Sequence, residues 1–344
     1  MFRRDPLDAV LDDIRGLLSV QLRPLYPLIR EVYGRGGVLG VWHSERAVVT
    51  GIKQIPSTEM FELASVTKPF TAALAGALVQ AGQLNWTTPL AHLGGPLRRL
   101  PPSVTSLTLA THTAGLPAHP LRTGLTTLTR WHDPYGAMNE TGVLNSAKRW
   151  ARASVASRTN PSPRFVYSNL GVGTLALALA YAAGHPPSVS GYGAALAHHV
   201  TQPLELPSIT LTPADRHRTA YSLLGSTQAT QFGPLAGAGG LYGTAADLLR
   251  FGAAHLSGEV GTHWQITQRP LGLPIQIQAV APGWFHTGGA VWHGGVARGT
   301  RTALGFSPHT GTVVVVLARG GLGWAKRDAV TALLLRLLTG TNQQ

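Results

Sequence analysis

A chain of 344 residues with 44% hydrophobic content, 41 glycines and 24 prolines can form one large, loop-rich globular unit with a full core of its own. It has no cysteine, which excludes disulfides and thiolate metal sites, and no run of 18 apolar residues of the kind that crosses a membrane. The formal charge of +13 rests on 28 basic residues, only four of them lysine; the arginines are dispersed, with no basic run or recognised module that would mark a nucleic-acid partner. The first twenty residues carry Arg3, Arg4, Asp5, Asp8, Asp12 and Asp13 without an apolar stretch, so no secretory signal is visible and a cytoplasmic location is expected.

In chain order, Leu7, Val10, Leu11, Ile14, Leu17 and Leu18 recur at three- and four-residue spacing and predict an amphipathic helix between Pro6 and Arg30. Val38–Trp42 and Ala47–Thr50, on either side of His43 to Arg46, predict a hairpin. Helical stretches are expected over 70–81, 142–156, 170–183, 190–199 and 244–256, joined by long Pro- and Gly-rich loops. Strands return near 288–293, 301–306 and 312–318, and a leucine-rich helix near Asp328–Leu338 closes the chain. Strands at both ends with helices between them predict a single α/β (α+β) domain over 1–344. Its α/β region is discontinuous, about 1–60 plus 283–344, and a mostly helical region of about 61–282 is inserted into it. Such a layout places a cleft where the helical insert meets the sheet.

One of the four lysines, Lys68, stands three residues after a serine in Ser65-Val66-Thr67-Lys68, and no other serine here has a lysine at that spacing. Positions i and i+3 of a helix share a face, so the hydroxyl and the amine can meet. An amine held dry beside a hydroxyl loses its proton near neutrality and can act as a base toward it. The apolar run from Phe70 to Ala81, stopped by Gly82, reads as a buried helix, and Pro69 is tolerable only in its first turn. Ser65 is thereby pinned to the helix start, where unpaired N–H groups favour an oxyanion. A serine there can equally be a plain helix cap.

Two further motifs bear on that choice. Arg164-Phe165-Val166-Tyr167-Ser168-Asn169-Leu170-Gly171 precedes a second apolar helix, and Val291-Trp292-His293-Gly294-Gly295-Val296 precedes a strand pair ending in Thr312–Leu317. Ser-x-x-Lys, then Tyr-Ser-Asn, then a Lys/His-x-Gly triplet on a strand resembles the serine β-lactamase and penicillin-binding protein superfamily, in its class C β-lactamase-like branch. The stretches Thr111–Pro117, Pro203–Leu206 and Gly239–Leu248 are also similar to that family, and the resemblance spans about residues 35–340. It implies a β-lactamase/transpeptidase-like fold, with an antiparallel sheet drawn from both chain ends and flanked by terminal helices. It also implies a serine hydrolase that works through an acyl-enzyme on a small acyl substrate, without metal or organic cofactor.

Carried over residue by residue, the resemblance implies Ser65 as nucleophile, Lys68 as base or proton relay and Tyr167 as a second proton-transfer group. Asn169 would bond both Lys68 and the substrate. Which of Lys68 and Tyr167 takes the serine proton stays open at this level. The N–H groups of Ser65 and Val296 would form the oxyanion hole. His286-Thr287-Gly288-Gly289 competes with His293-Gly294-Gly295 for the triplet; the downstream Phe306-Ser307-Pro308 favours the latter, with Thr287 to Ala290 as a hairpin turn. His293 stands where β-lactamases and carboxypeptidases of this class carry a lysine, which points to the esterase-like branch. Arg298 or Arg301 could supply the missing charge, or be solvated turn residues. His112 is expected to be structural, and the remaining histidines show no metal-ligand spacing. A β-lactamase or D-Ala-D-Ala carboxypeptidase proper is the alternative, and a non-catalytic scaffold of the same fold a further one. The oligomeric state is not legible.

Overall fold

β-Branched and apolar residues dominate both end segments, and the computed structural model pairs them into one sheet; it describes residues 5–18, 20–120, 135, 138–156, 163–212, 220–222, 225–227, 230–320 and 325–340. Strands β1 (Gly37–His43) and β2 (Arg46–Ile52) form the expected hairpin, closed by Ser44 and Glu45 at φ of +49° and +64°. Two left-handed residues match the twist of the flanking strands. The C-terminal part adds β3 (Ala279–Ala281), β4 (Trp284–Thr287), β5 (Ala290–Val296), β6 (Thr300–Ser307) and β7 (Thr312–Arg319). The order is β2-β1-β7-β6-β5-β4-β3, with every neighbour antiparallel. The last strand therefore sits between the first strand and β6.

The run from Val313 to Leu317 is apolar without interruption because the sheet is covered on both faces. Val38, Val313, Val315 and Leu317 face an inner core, and Leu39, Val41, Val314 and Val316 face an outer one. Helices of the middle segment cover the inner face: α1 (Thr67–Gln80), α2 (Glu140–Ala156), α3 (Asn169–Ala182), α4 (Val189–Leu196) and α5 (Ala245–Ser257). In α1 and α3 nearly every residue is buried, as expected of helices apolar on all sides. The closing helix α6 (Ala325–Thr339) packs on the outer face with the N-terminal segment.

Two expectations need correction. The helix expected between Pro6 and Arg30 is instead Pro6–Val10, Asp12–Arg15, a 3₁₀ turn at Arg23–Leu25 and Tyr26–Val32. Pro6, Pro24 and Pro27 each lie in the first turn of a piece, the place where a missing N–H costs least. Leu11, Ile14, Leu17, Leu22, Leu25 and Ile29 are nevertheless buried, so the apolar spacing reported the face and not the continuity. Second, the sheet's C-terminal share starts at Ala279, before the expected strands: β3 and β4 are three and four residues long around Pro282-Gly283, which reads as loop.

Behind α1, His255 and His263 lie in an aromatic nest with Trp284 and Phe306, their rings 5.3 Å apart. Burial lowers both, His255 well below the ordinary value and His263 to about 4. A histidine held neutral in the fold but free to protonate at 6.5 when unfolded withdraws stability as pH falls from 6.5 toward 4. Glu62, raised by burial to about 7, works in the opposite sense over the same range, so a differential comparison is needed. Between pH 7.5 and 5 the stability of His263→Leu should fall less than that of the wild type by about 2 kcal/mol in urea unfolding. Parallel pH profiles would show that His263 does not titrate on unfolding.

Candidate active site

The turn that carries Ser65 is set by the sheet beneath it. Ala64–Val66 forms a 3₁₀ turn leading into α1, and Ala64 has a φ of +48°, unusual for a residue with a Cβ. Two threonines of β6 hold the turn down: Thr300 Oγ1 donates to the Glu62 carbonyl at 3.1 Å and Thr302 Oγ1 to the Leu63 carbonyl at 2.8 Å. A Cβ on Gly295 would stand 2.2 Å from Thr302 Oγ1 and 2.3 Å from the Leu63 oxygen, so only glycine lets β5 come this close to Ser65. On β5, His293 and Gly295 share the inner face with Val291. Pairing of β5 with β4 stops at Trp292, and Ala297 donates its N–H to the Thr300 carbonyl. By alternation the N–H of Val296 points away from β6 and out of the sheet edge.

Lys68 follows one turn after Ser65 and is 1% exposed. Its Nζ lies 2.9 Å from Ser65 Oγ, 2.8 Å from Asn169 Oδ1 and 2.7 Å from the Ala238 carbonyl oxygen. Burial lowers its pKa well below the ordinary lysine value, and among the described residues no hydrogen bond or ion pair joins it to a carboxylate. With the amine neutral, the state that burial favours, the two partners that only accept take its two N–H bonds and the lone pair faces the Ser65 hydroxyl; an ammonium would donate to all three. The Tyr167 ring presents its face to the same nitrogen at 4.8 Å, a contact that favours the ammonium. Against full burial this is the smaller effect.

The Ala238 carbonyl is aimed by α1 itself. Thr71 Oγ1 donates to Gly237 O at 2.7 Å, and Thr67 Oγ1 accepts from Leu241 N–H at 3.1 Å. Gly237 and Gly239 permit the packing, since a Cβ would meet Ala176 at 2.2 Å and Phe232 at 2.3 Å. Ala238 was not a sequence candidate; the run of small residues before Leu241 was its only signal.

Asn169 opens α3, capped by Ser168 Oγ, and its Nδ2 reaches toward Tyr135 Oη at 3.5 Å. Tyr167 sits among rings: His112 at 4.5 Å, His293 at 6.2 Å and Phe285 at 6.4 Å between centroids. Phe285 also stacks on His293 at 4.9 Å. It comes from β4, and no sequence pattern marked it. Of the two candidate triplet histidines, His293 is the one beside Tyr167; His286 bonds the Trp264 carbonyl at 2.9 Å. His293 Nδ1 lies 2.8 Å from the Gly294 carbonyl, which can only accept, so the proton is on Nδ1.

Arg301 is not placed as a carboxylate ligand. Thr300 and Thr302 point to the Ser65 turn, so Arg301 between them points to the other face, where it is buried and donates to the Ala297 and Thr300 carbonyls. Arg298 lies beside Glu62 and favours its carboxylate, while burial alone holds Glu62 near neutrality at about 7. Glu62 accepts from Thr230 N–H at 2.7 Å and helps fix the segment entering the site.

With this geometry the chain can be set beside known proteins. The family profile described as Beta-lactamase matches residues 27–338. The D-alanyl-D-alanine-carboxypeptidase/endopeptidase AmpH of Escherichia coli (strain K12) is 28% identical over 206 residues, 57% of this chain and 49% of that protein. The chain thus matches about half the length of this curated relative. Among solved structures, a class C beta-lactamase superposes with a TM-score of 0.71 at 18% identity, covering 99% of each chain. A beta-lactamase/D-alanine carboxypeptidase from Pseudomonas syringae gives 0.70 at 18% identity over 91% and 97%. A D-stereospecific amidohydrolase from Streptomyces sp. gives 0.66 at 17% identity over 89% and 94%. These structures share the fold: mixed α/β, an antiparallel sheet and packed helices. Among the described residues, no helix is long and apolar enough to cross a membrane.

Proposed function

The chain belongs to the Beta-lactamase family, and we propose that within it this protein is a serine hydrolase that prefers neutral acyl esters and amides. The observation that carries the reading is the fully buried Lys68 Nζ within hydrogen-bond distance of Ser65 Oγ, with two acceptors as its other partners; as a neutral amine it turns its lone pair to Ser65 Oγ. Ser65 Oγ attacks the substrate carbonyl as its proton passes to Lys68. The oxyanion collects between the N–H groups of Ser65 and Val296, donors that typically contribute several kcal/mol in such sites. When the carbon–heteroatom bond breaks, the proton on Lys68 passes by way of the Tyr167 hydroxyl to the leaving group. Water then repeats the sequence on the acyl-Ser65 ester and regenerates the hydroxyl. Asn169 holds Lys68 through Oδ1 and offers Nδ2 to the acyl side chain.

A fluorophosphonate should label the chain once, at Ser65. Label that survives Ser65→Ala, or maps to another serine, would overturn the assignment.

The preference for uncharged acyl groups follows from His293, an imidazole where a lysine would present a permanent cation, and from Arg301, which is turned to the other face of the sheet. The relative AmpH, a D-alanyl-D-alanine-carboxypeptidase/endopeptidase by name, supports the competing reading, a substrate with a terminal carboxylate. His293→Lys separates the two. The kcat/KM ratio of penicillin to p-nitrophenyl ester should rise about ten- to a hundredfold, as for a restored charge at a partly dry site. An unchanged ratio, or a wild type already efficient on penicillins, would sink the ester preference.

A further inference from the structure

His112 was expected to be structural, yet its contacts converge on one residue. Its backbone carbonyl accepts the N–H of Val166 at 2.9 Å, and its Nδ1 accepts the N–H of Ser168 at 3.2 Å. These are the two residues flanking Tyr167. Its ring lies 4.5 Å from the Tyr167 ring at 38°, on a tyrosine that also meets the Lys68 amine. The arrangement requires a φ of +60° at His112, a region where histidine and asparagine are tolerated and branched or bulky apolar residues are not. Because Nδ1 accepts a backbone N–H, the ring proton is on Nε2, and protonating Nδ1 would break the clamp. Burial lowers the His112 pKa well below the ordinary value, in keeping with that state.

We propose that His112 is a positioning residue that grips the backbone on both sides of Tyr167 and sets the Tyr167 hydroxyl in the Ser65–Lys68 relay. The proposal rests on the reading of Tyr167 as a proton-transfer group. Asparagine at 112 keeps the left-handed backbone and places Oδ1 near the Nδ1 position, whereas leucine loses the acceptor and also strains the backbone. His112→Gly, which keeps the backbone and loses only the side chain, is therefore its control and should lose as much as leucine. With the wild-type protein as reference, His112→Leu should lower kcat on an alkyl ester about 10- to 100-fold, the cost of misplacing a reacting group by about 1 Å, with KM changed less than about threefold. His112→Asn should recover most of that loss. In a Tyr167→Phe background, His112→Leu should cost almost nothing further, because the group it positions is already gone.

Equal losses in the leucine and asparagine variants, or full additivity with Tyr167→Phe, would overturn the proposal while leaving Tyr167 in its role. If Tyr167→Phe alone runs at the wild-type rate, the Tyr167 reading falls and the proposal with it. Should His112→Leu fail to fold, His112→Asn carries the test: a rate near wild type supports the acceptor role, and a loss of 10-fold or more overturns it.

Discussion

Lys68→Ala should lose on the order of 10⁴-fold in ester hydrolysis and in the rate of fluorophosphonate labelling, the largest effect expected of any single change here apart from removing the nucleophile. On the proposed mechanism the amine is the base facing Ser65 Oγ, and its other two partners are acceptors that cannot replace it. Lys68→Arg is the informative companion. A guanidinium keeps charge and donors but has no lone pair and does not deprotonate in proteins, so it should be as inactive as alanine. A fold-intact arginine variant with substantial turnover would mean that positive charge, and not a base, is what the position supplies.

The sign of the pH dependence follows from the same state. Burial lowers the Lys68 pKa, so the active amine persists well below the ordinary lysine range, and acylation should decline only when pH falls through that lowered value. A rate that climbs steadily up to the ordinary lysine pKa would contradict the neutral-amine reading. The alanine variant also leaves the Ala238 carbonyl and Asn169 Oδ1 without their donor, at about 1–3 kcal/mol for each acceptor that water cannot reach. Removal of a fully desolvated amine offsets part of this, so melting temperature and activity must be measured together.

The second large effect is Tyr167→Phe, with a loss of about two to four orders of magnitude. Phenylalanine keeps the ring contacts with His112, Phe285, His293 and the Lys68 amine, so the change isolates the hydroxyl. If that hydroxyl relays the proton to the leaving group, the loss should be larger for an alkyl ester than for a p-nitrophenyl ester, whose phenolate departs without a proton. Equal losses on both substrates would place the hydroxyl at serine deprotonation instead. A rate near wild type on the alkyl ester would remove Tyr167 from the chemistry.

What the sequence determined by itself lies close in the chain. The Ser65–Lys68 pair follows from helical spacing plus Pro69, and the structure places its atoms 2.9 Å apart. The β1–β2 hairpin, the caps of α3 and α5, and the turn at Gly288-Gly289 are likewise choices made by a few adjacent residues. The family resemblance supplied the order of the three motifs, because side chains from separate segments can be named together only when their joint pattern is already familiar. Tertiary structure decided the rest. The Ala238 carbonyl that bonds Lys68 is 170 residues away, and the lowered Lys68 pKa comes from burial that no local pattern measures. Arg301 was removed as a carboxylate ligand by strand parity, fixed when Thr300 and Thr302 locked onto the Ser65 turn. The N-terminal helix broke at its prolines because the outer face of the sheet rewards buried leucines, whatever backbone carries them. Backbone chemistry acts over a few residues and is written there; desolvation and register belong to surfaces that meet only once the chain has closed on itself.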